Sequence, residues 1–323
     1  MTRAGQTRTD LLVFGAGPGG LSAAIAAASK GYGVTVLEAL AWPRARPGET
    51  LHPGVEALFP QLGVAGTMAG AGFRRHAGVW MQGPADVAAV FHPYGRDEDG
   101  PWMGWHAPGA LFDDILARRA IDLGVDFRSR TRPRSIRLDP LEIVTTQGEI
   151  SARGVIDATG SGRWLQRRLG VPLIVASEPR QVHWRDEVVD PSETFEPQLR
   201  LAETGWTWRA RLTDEVAVVC EMRLNGAFGP VSGAGRSRDV TWRTSRRLAG
   251  PGWWAVGDAA SMLDPLTGKG VLTAMMTGIA AAASFDEVMT GAISAETAAN
   301  LFHHQIANRF RADCLRMAQF YAA

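Results

Sequence analysis

Lysine is almost missing from this chain. Only Lys30 and Lys269 occur in 323 residues, so thirty-two of the thirty-four basic groups are arginines, which stay protonated and make poor proton donors or amine nucleophiles. Chemistry that needs a lysine has two places to occur. Cysteine is as scarce. Cys220 and Cys314 exclude a disulfide framework and a thiolate-rich metal site, and with no secretory-type leader the expected compartment is the cytoplasm. An excess of either charge is also lacking: 34 basic against 33 acidic residues leave a net of +1 and no global field for nucleic acid or an anionic bilayer. The most apolar stretch, residues 270–285, would rise only about 24 Å as a helix against a hydrocarbon core of roughly 30 Å. A buried helix and no stable membrane insertion are expected. His303 and His304 have no acidic or thiol neighbours at ligand spacing, so no metal is expected.

What is present describes an ordinary folded protein, with 46% hydrophobic and 21% charged residues and length for about two domains. Residues 11–14, Leu-Leu-Val-Phe, read as a buried parallel strand that runs into a glycine turn. Residues 21–30 read as a helix of small side chains stopped by glycines, and residues 33–38 as a second buried strand, which completes a βαβ unit. A helix is expected over 54–62 and an amphipathic one over 110–123, stopped by Gly124. Alternating segments at 79–81, 87–92, 206–210 and 216–220 predict an antiparallel sheet assembled from two separated pieces of chain. Residues 225–238 read as a loop, and two closing helices are expected from Gly270 and from about Ala295.

The sharpest motif is Gly15-Ala16-Gly17-Pro18-Gly19-Gly20, a GxGxxG between a strand and a helix, with Glu38 at the end of the next strand. The glycines allow a tight turn and close approach of a pyrophosphate, the helix N-terminus offers unpaired N–H groups, and Glu38 and Ala39 face a ribose. An acidic residue there repels a 2′-phosphate, which favours FAD or NAD over NADP.

Two further strand-to-turn segments select between them: residues 155–160, ending Ala158-Thr159-Gly160, and residues 254–260, containing Gly257-Asp258. Together the three motifs resemble the FAD signature of the glutathione-reductase-like flavoproteins, in particular the branch with p-hydroxybenzoate hydroxylase, tryptophan halogenases and geranylgeranyl reductases. In that branch the aspartate matching Asp258 holds the ribitol. The resemblance also implies that the turn bearing Pro265, Gly268, Lys269, Gly270 and Val271 lays backbone N–H groups and a helix N-terminus against the flavin pyrimidine edge. Gly48-Glu49-Thr50 matches the loop beside the flavin in halogenase-like members, and Gly205-Trp206-Thr207-Trp208 is similar to their substrate-domain strand. Two departures stand out. Residues 49–110 contain no lysine, where halogenases carry one, so halogenation is not expected; and Pro108-Gly109-Ala110 stands where relatives commonly have an arginine.

The implied fold is α/β: a glutathione-reductase-like, three-layer FAD domain with a parallel sheet (residues 1–75, 105–170 and 250–323), interleaved with an antiparallel substrate domain (76–104 and 171–249). The implied activity is FAD-dependent monooxygenation of an aromatic natural-product or peptide-borne substrate through a flavin C4a-hydroperoxide. No second GxGxxG follows a strand, so NAD(P)H binds transiently or a separate flavin reductase serves. His52, three residues past Glu49, is the candidate for proton exchange, beside the plainer reading of a packing histidine. Trp206 and Trp208 share one strand face and are the candidate substrate wall, or else ordinary sheet packing. The rival activities are alkene reduction of the geranylgeranyl type and non-catalytic FAD binding.

Overall fold

In the computed structural model the described residues are 7–84, 87–190, 192, 194–224 and 235–322. A six-stranded sheet forms the centre, in the order Asp126–Arg128, Val34–Leu37, Leu11–Phe14, Gly154–Asp157, Trp253–Ala255, Ala249–Gly250. Its pairs are parallel except the last. All four residues of Leu11–Phe14 and of Gly154–Asp157 are buried, as strands covered on both faces must be. Among the described residues the four helices longer than ten residues are α1 (Pro18–Ala28), α2 (Gly109–Asp122), α3 (Gly270–Met289) and α4 (Ala295–Ala322).

Helix α1 packs against α3 and α2. Its alanines and glycines make that approach close: a Cβ on Gly278 of α3 would collide with the Gly19 carbonyl oxygen, and one on Gly19 would come within 2.9 Å of the Ala274 carbonyl oxygen. A meander of Pro133–Leu138, Leu141–Thr145 and Gly148–Ser151 adds a further layer, with Ile143 and Ile150 in the same core as the central sheet. Helix α3 runs 20 residues, four beyond the expected stretch, and is by length and composition apolar enough to cross a membrane. Here it is a core helix, with Val271, Met275, Ala281, Ala282 and Phe285 buried against α1 and the sheet.

The second sheet has seven strands, in the order Arg236–Asp239, Arg180–Val188, Val216–Leu224, Gly205–Arg211, Gln198–Ala202, Gly78–Gln82, Val90–Pro93. It is antiparallel but for one pair, Gln198–Ala202 with Gly78–Gln82, where the two pieces of chain meet. Its own core holds Val182, Leu199, Trp206, Met222 and Trp242, and α4 contributes Phe310 and Met317 to it. Because α4 also sends Phe302 and Ile306 into the first core, it braces both sheets.

Several expectations need correction. The helix expected over 54–62 is two pieces, a 3-10 turn at Pro53–Val55 and a helix at Leu58–Gln61. The strand expected from 87 begins at Val90, where pairing with Met81 starts. Of the loop expected over 225–238, residues 225–234 lie outside the described residues, and Arg236–Asp239 is an edge strand.

Candidate functional site

The three glycine-bearing turns follow three neighbouring strands, Leu11–Phe14, Gly154–Asp157 and Trp253–Ala255, all running the same way. Adjacency in the sheet therefore brings the turns to one edge. Contact between them is tight. Gly15 adopts φ +98°, and a Cβ there would collide with the Ala158 carbonyl oxygen of the second turn. The second turn is held by buried Asp157, which accepts hydrogen bonds from Thr159 N (3.0 Å), Thr159 Oγ1 (2.6 Å) and Leu165 N (2.8 Å).

These turns border one cavity of about 850 Å³, within the usual range for cofactor and substrate pockets. Gly15, Gly17, Pro18, Gly19 and Gly20 line it, as do Ala158, Thr159 and Gly160, and Gly257 and Asp258. So do Glu38 and Ala39, Gly48, Glu49 and Thr50, and Pro265, Gly268, Lys269, Gly270 and Val271. The structure thus brings together every residue that the sequence assigned to the cofactor.

The fit to a dinucleotide rests on the helix ends. Helices α1 and α3 both begin at this cavity, behind Gly17 and Lys269; neither N-cap residue makes a side-chain cap and neither first turn carries an acid. Two sets of unpaired N–H groups thus face one space, as an anionic pyrophosphate and an electron-rich flavin edge each require. A Cβ on Gly17 would meet only Arg44 Nη2, at 3.4 Å, so the backbone there stands open to a ligand. Glu38 is 3% exposed and accepts from Ala16 N (3.0 Å) and Leu40 N (2.9 Å), which ties the first turn to the second strand's exit.

An arginine clamp lies beside these turns. Buried Asp113 of α2 pairs with Arg44 (3.0 Å) and Arg46 (2.6 Å), and Arg46 reaches Glu49 (2.8 Å). Burial pushes the Glu49 carboxyl up, against the pull of Arg46. The sequence offered no sign of this clamp, since its partners lie 67 and 69 residues apart. Arg238 of the seven-stranded sheet pairs with Asp258 at 2.7 Å and also lines the cavity, so the third turn is braced from the opposite wall. Arg243 pairs with Asp239 and does not line the cavity.

The far wall comes from the second sheet. Strand register sets Trp184 opposite Cys220 and Cys220 opposite Trp208, while Val182, Met222 and Trp206 form the next row on the same face. Trp184, Trp206, Trp208, Cys220 and Val182 line the cavity, so the period of two expected for Trp206 and Trp208 does aim both inward. Burial pushes the Cys220 thiol up to about 12, so at neutral pH it stays a protonated thiol. Helix α4 supplies a stripe at helical spacing: Arg309, Asp313, Arg316, Met317 and Phe320 all line the cavity. Nothing in the sequence marked that stripe as part of the site.

His52 is placed differently. Its Nδ1 accepts from Gly54 N at 3.0 Å, capping the turn Pro53–Val55, and it is not among the cavity-lining residues. Burial lowers its pKa, and the charge of Lys269 lowers it further. Its ring meets Tyr94 edge to face, Tyr94 lies tilted against His76, and the His76 ring lies 4.4 Å from that of His106. His76 and His106 are fully buried in the small sheet that pairs Glu49–Leu51 with Gly104–Ala107 and Arg74–His76. His76 donates from Nδ1 to the Gly78 carbonyl (3.2 Å) and His106 from Nε2 to the Phe195 carbonyl (2.8 Å). Burial lowers them to about 4 and about 3.

A fold of converging glycine turns, two uncapped helix ends and an adjoining aromatic chamber defines an FAD-dependent flavoprotein. The family described as "FAD binding domain" matches residues 8–249, and the chain belongs to that family. The chain is 26% identical to tryptophan 2-halogenase of Chondromyces crocatus, over 97% of this chain and 68% of that protein. It is 27% identical to a menaquinone reductase of Mycolicibacterium smegmatis, over 88% and 77% respectively. Among solved structures, PqsL of Pseudomonas aeruginosa, described as a probable FAD-dependent monooxygenase, superposes with a TM-score of 0.81 at 16% identity, covering 95% of this chain and 94% of that one. The protein is a flavin-dependent oxidoreductase whose cofactor is FAD.

Proposed function

We propose that the protein is a flavin-dependent monooxygenase that hydroxylates a flat aromatic substrate, either a small molecule or an aromatic residue borne on a peptide. The observation that carries this reading is the continuity of the cavity: the three-turn cradle and the wall of Trp184, Trp206 and Trp208 border the same space. FAD, when bound, supplies two-electron redox chemistry and, once reduced, activation of O2. The chain's own residues do the rest. The N–H groups behind Gly17 and at the start of α3 hold the anionic parts of the cofactor, Glu38 faces the ribose, and Asp258 the ribitol. Lys269 and the α3 dipole favour negative charge beside the third turn. The tryptophan wall orients the substrate ring and keeps water from it, while Arg309 and Arg316 line the same cavity with a charged stripe. NAD(P)H, binding transiently, or a partner flavin reductase supplies the electrons.

Halogenation has the weaker claim, although a relative carries that name, because residues 49–110 hold no lysine and Lys30 is paired with Asp286 at 2.5 Å on the surface. Reduction of an isoprenoid is the second reading, favoured by the menaquinone reductase relative. The test is turnover of the reduced, FAD-loaded protein with isotope-labelled O2 and a panel of indoles and phenols, with and without bromide. Labelled hydroxylated product supports the proposal. Brominated product, or anaerobic reduction of a polyprenyl quinone with no oxygen incorporated, overturns it.

A further inference from the structure

The turn Pro265–Thr267, which follows the third glycine turn and leads into α3, carries a buried ion pair that the proposed chemistry does not use. Asp264 opens the turn Pro265–Thr267, is 2% exposed, and accepts at Oδ1 from Leu266 N (3.2 Å). Its Oδ2 accepts from Trp242 Nε1 (2.7 Å) and from Arg180 Nη1 (3.0 Å). Arg180 comes from the seven-stranded sheet and is itself 9% exposed. Its guanidinium packs over the faces of both Trp242 and Tyr321, 4.2 and 4.1 Å from their centroids, in the corner where the two tilted rings meet. Tyr321 belongs to α4, and its hydroxyl accepts from Nε1 of Trp206, the chamber tryptophan, at 2.9 Å. One ion pair therefore joins the turn Pro265–Thr267, the chamber wall and the last helix.

Stability alone is a weak reason for such a pair. Desolvating two charges costs about as much as their attraction returns, and apolar side chains of similar volume often serve as well. The pair's position supplies a better reason. Asp264 lines the cavity and fixes the turn that runs on through Gly268 and Lys269 to the uncapped start of α3. A lone carboxylate there would oppose the charge that a flavin gains on reduction, and a lone guanidinium would favour it. We propose that Arg180 and Asp264 are positioning residues that act as a balanced pair, holding the turn Pro265–Thr267 while cancelling each other's field, and so set the reduction potential of the bound flavin. This rests on the FAD assignment and is independent of which substrate is oxidised.

The experiment is a reductive titration of the FAD-loaded protein against reference dyes, for the parent, Asp264→Asn, Arg180→Met and the double variant. Asp264→Asn leaves the arginine uncompensated and stabilises reduced over oxidised flavin by about tenfold, about 30 mV upward for a two-electron couple. Because burial raises the Asp264 carboxyl and Arg180 holds it down, the titrations are run at pH 9 to keep the lone acid ionised; there Arg180→Met moves the potential the other way by a similar factor, and the double variant returns to within about threefold of the parent. Opposite shifts that cancel are a signature a purely structural strut does not give. Shifts of the same sign, or no shift in either variant, overturn the proposal. Should Arg180→Met fail to retain FAD, Asp264→Asn decides alone: a rise supports the proposal, while no change, a fall or loss of FAD overturns it.

Discussion

Acid should weaken this protein by an amount that can be worked out from two residues. His76 and His106 are both fully buried, with pKa values lowered to about 4 and about 3 from an ordinary 6.5. Burial is the main cause in each, and His76 lowers His106 further. His76 Nε2 and His106 Nδ1 have no hydrogen-bond partner, and the charge of Glu196, which favours a proton on His76, is outweighed by burial. The unfolded chain takes up both protons as pH falls through 6.5, whereas the folded chain takes them up only near pH 4 and below. Stability is therefore complete above about pH 7 and is lost from about pH 6.5 down to about 4 for His76 and about 3 for His106. At pH 5 the loss is about 2 kcal/mol for each histidine and about 4 kcal/mol for the pair, a large share of a typical folding free energy. Denaturant unfolding at pH 7.5, 6 and 5 measures it, with the His76→Asn, His106→Gln double variant as the control. A parent whose stability falls no faster than the variant's between pH 7.5 and 5 would refute the reasoning. Because the strand Glu49–Leu51 pairs with the strand that carries His106, flavin release should accompany the loss.

Other changes test the site directly. Gly15→Ala puts a Cβ against the Ala158 carbonyl at φ +98°; it should cost about 2 kcal/mol or more and abolish flavin retention, read by thermal unfolding and by visible absorbance. Asp258→Ala removes the carboxylate paired with Arg238 and should weaken FAD binding about tenfold to a hundredfold, giving a colourless purified protein; normal yellow protein contradicts the assignment. Trp208→Ala removes one chamber ring and should raise KM for an aromatic substrate about threefold to tenfold with FAD content unchanged, measured by steady-state kinetics beside flavin stoichiometry.

The parts that sequence reasoning reached are those whose cause is local. A four-residue apolar run, a glycine with positive φ and a helix of small residues are each specified within a dozen positions, and neighbouring strands then carried Gly15, Ala158 and Gly257 to one edge of the sheet. The period of two likewise made the orientation of Trp206 and Trp208 readable before any register was known. What it missed depends on distant partners. Glu49–Leu51 is a strand only because Gly104–Ala107 runs beside it, and Arg44 and Arg46 look like solvated loop arginines until Asp113 is found beneath them. His52 stands three residues from Glu49 in the chain, yet its ring turns back onto Gly54 instead of toward the cavity. The inward stripe of α4 was hidden because its apolar residues divide between two cores, leaving no simple amphipathic pattern.

Crystals grown with FAD and an indole offer the most direct measurement. Difference density should show a single extended nucleotide, its adenosine end at Glu38, its pyrophosphate at Gly17 and its ring at Lys269, with the indole between that ring and Trp206. A flavin ring lodged elsewhere, or an indole bound outside the tryptophan wall, would contradict the account.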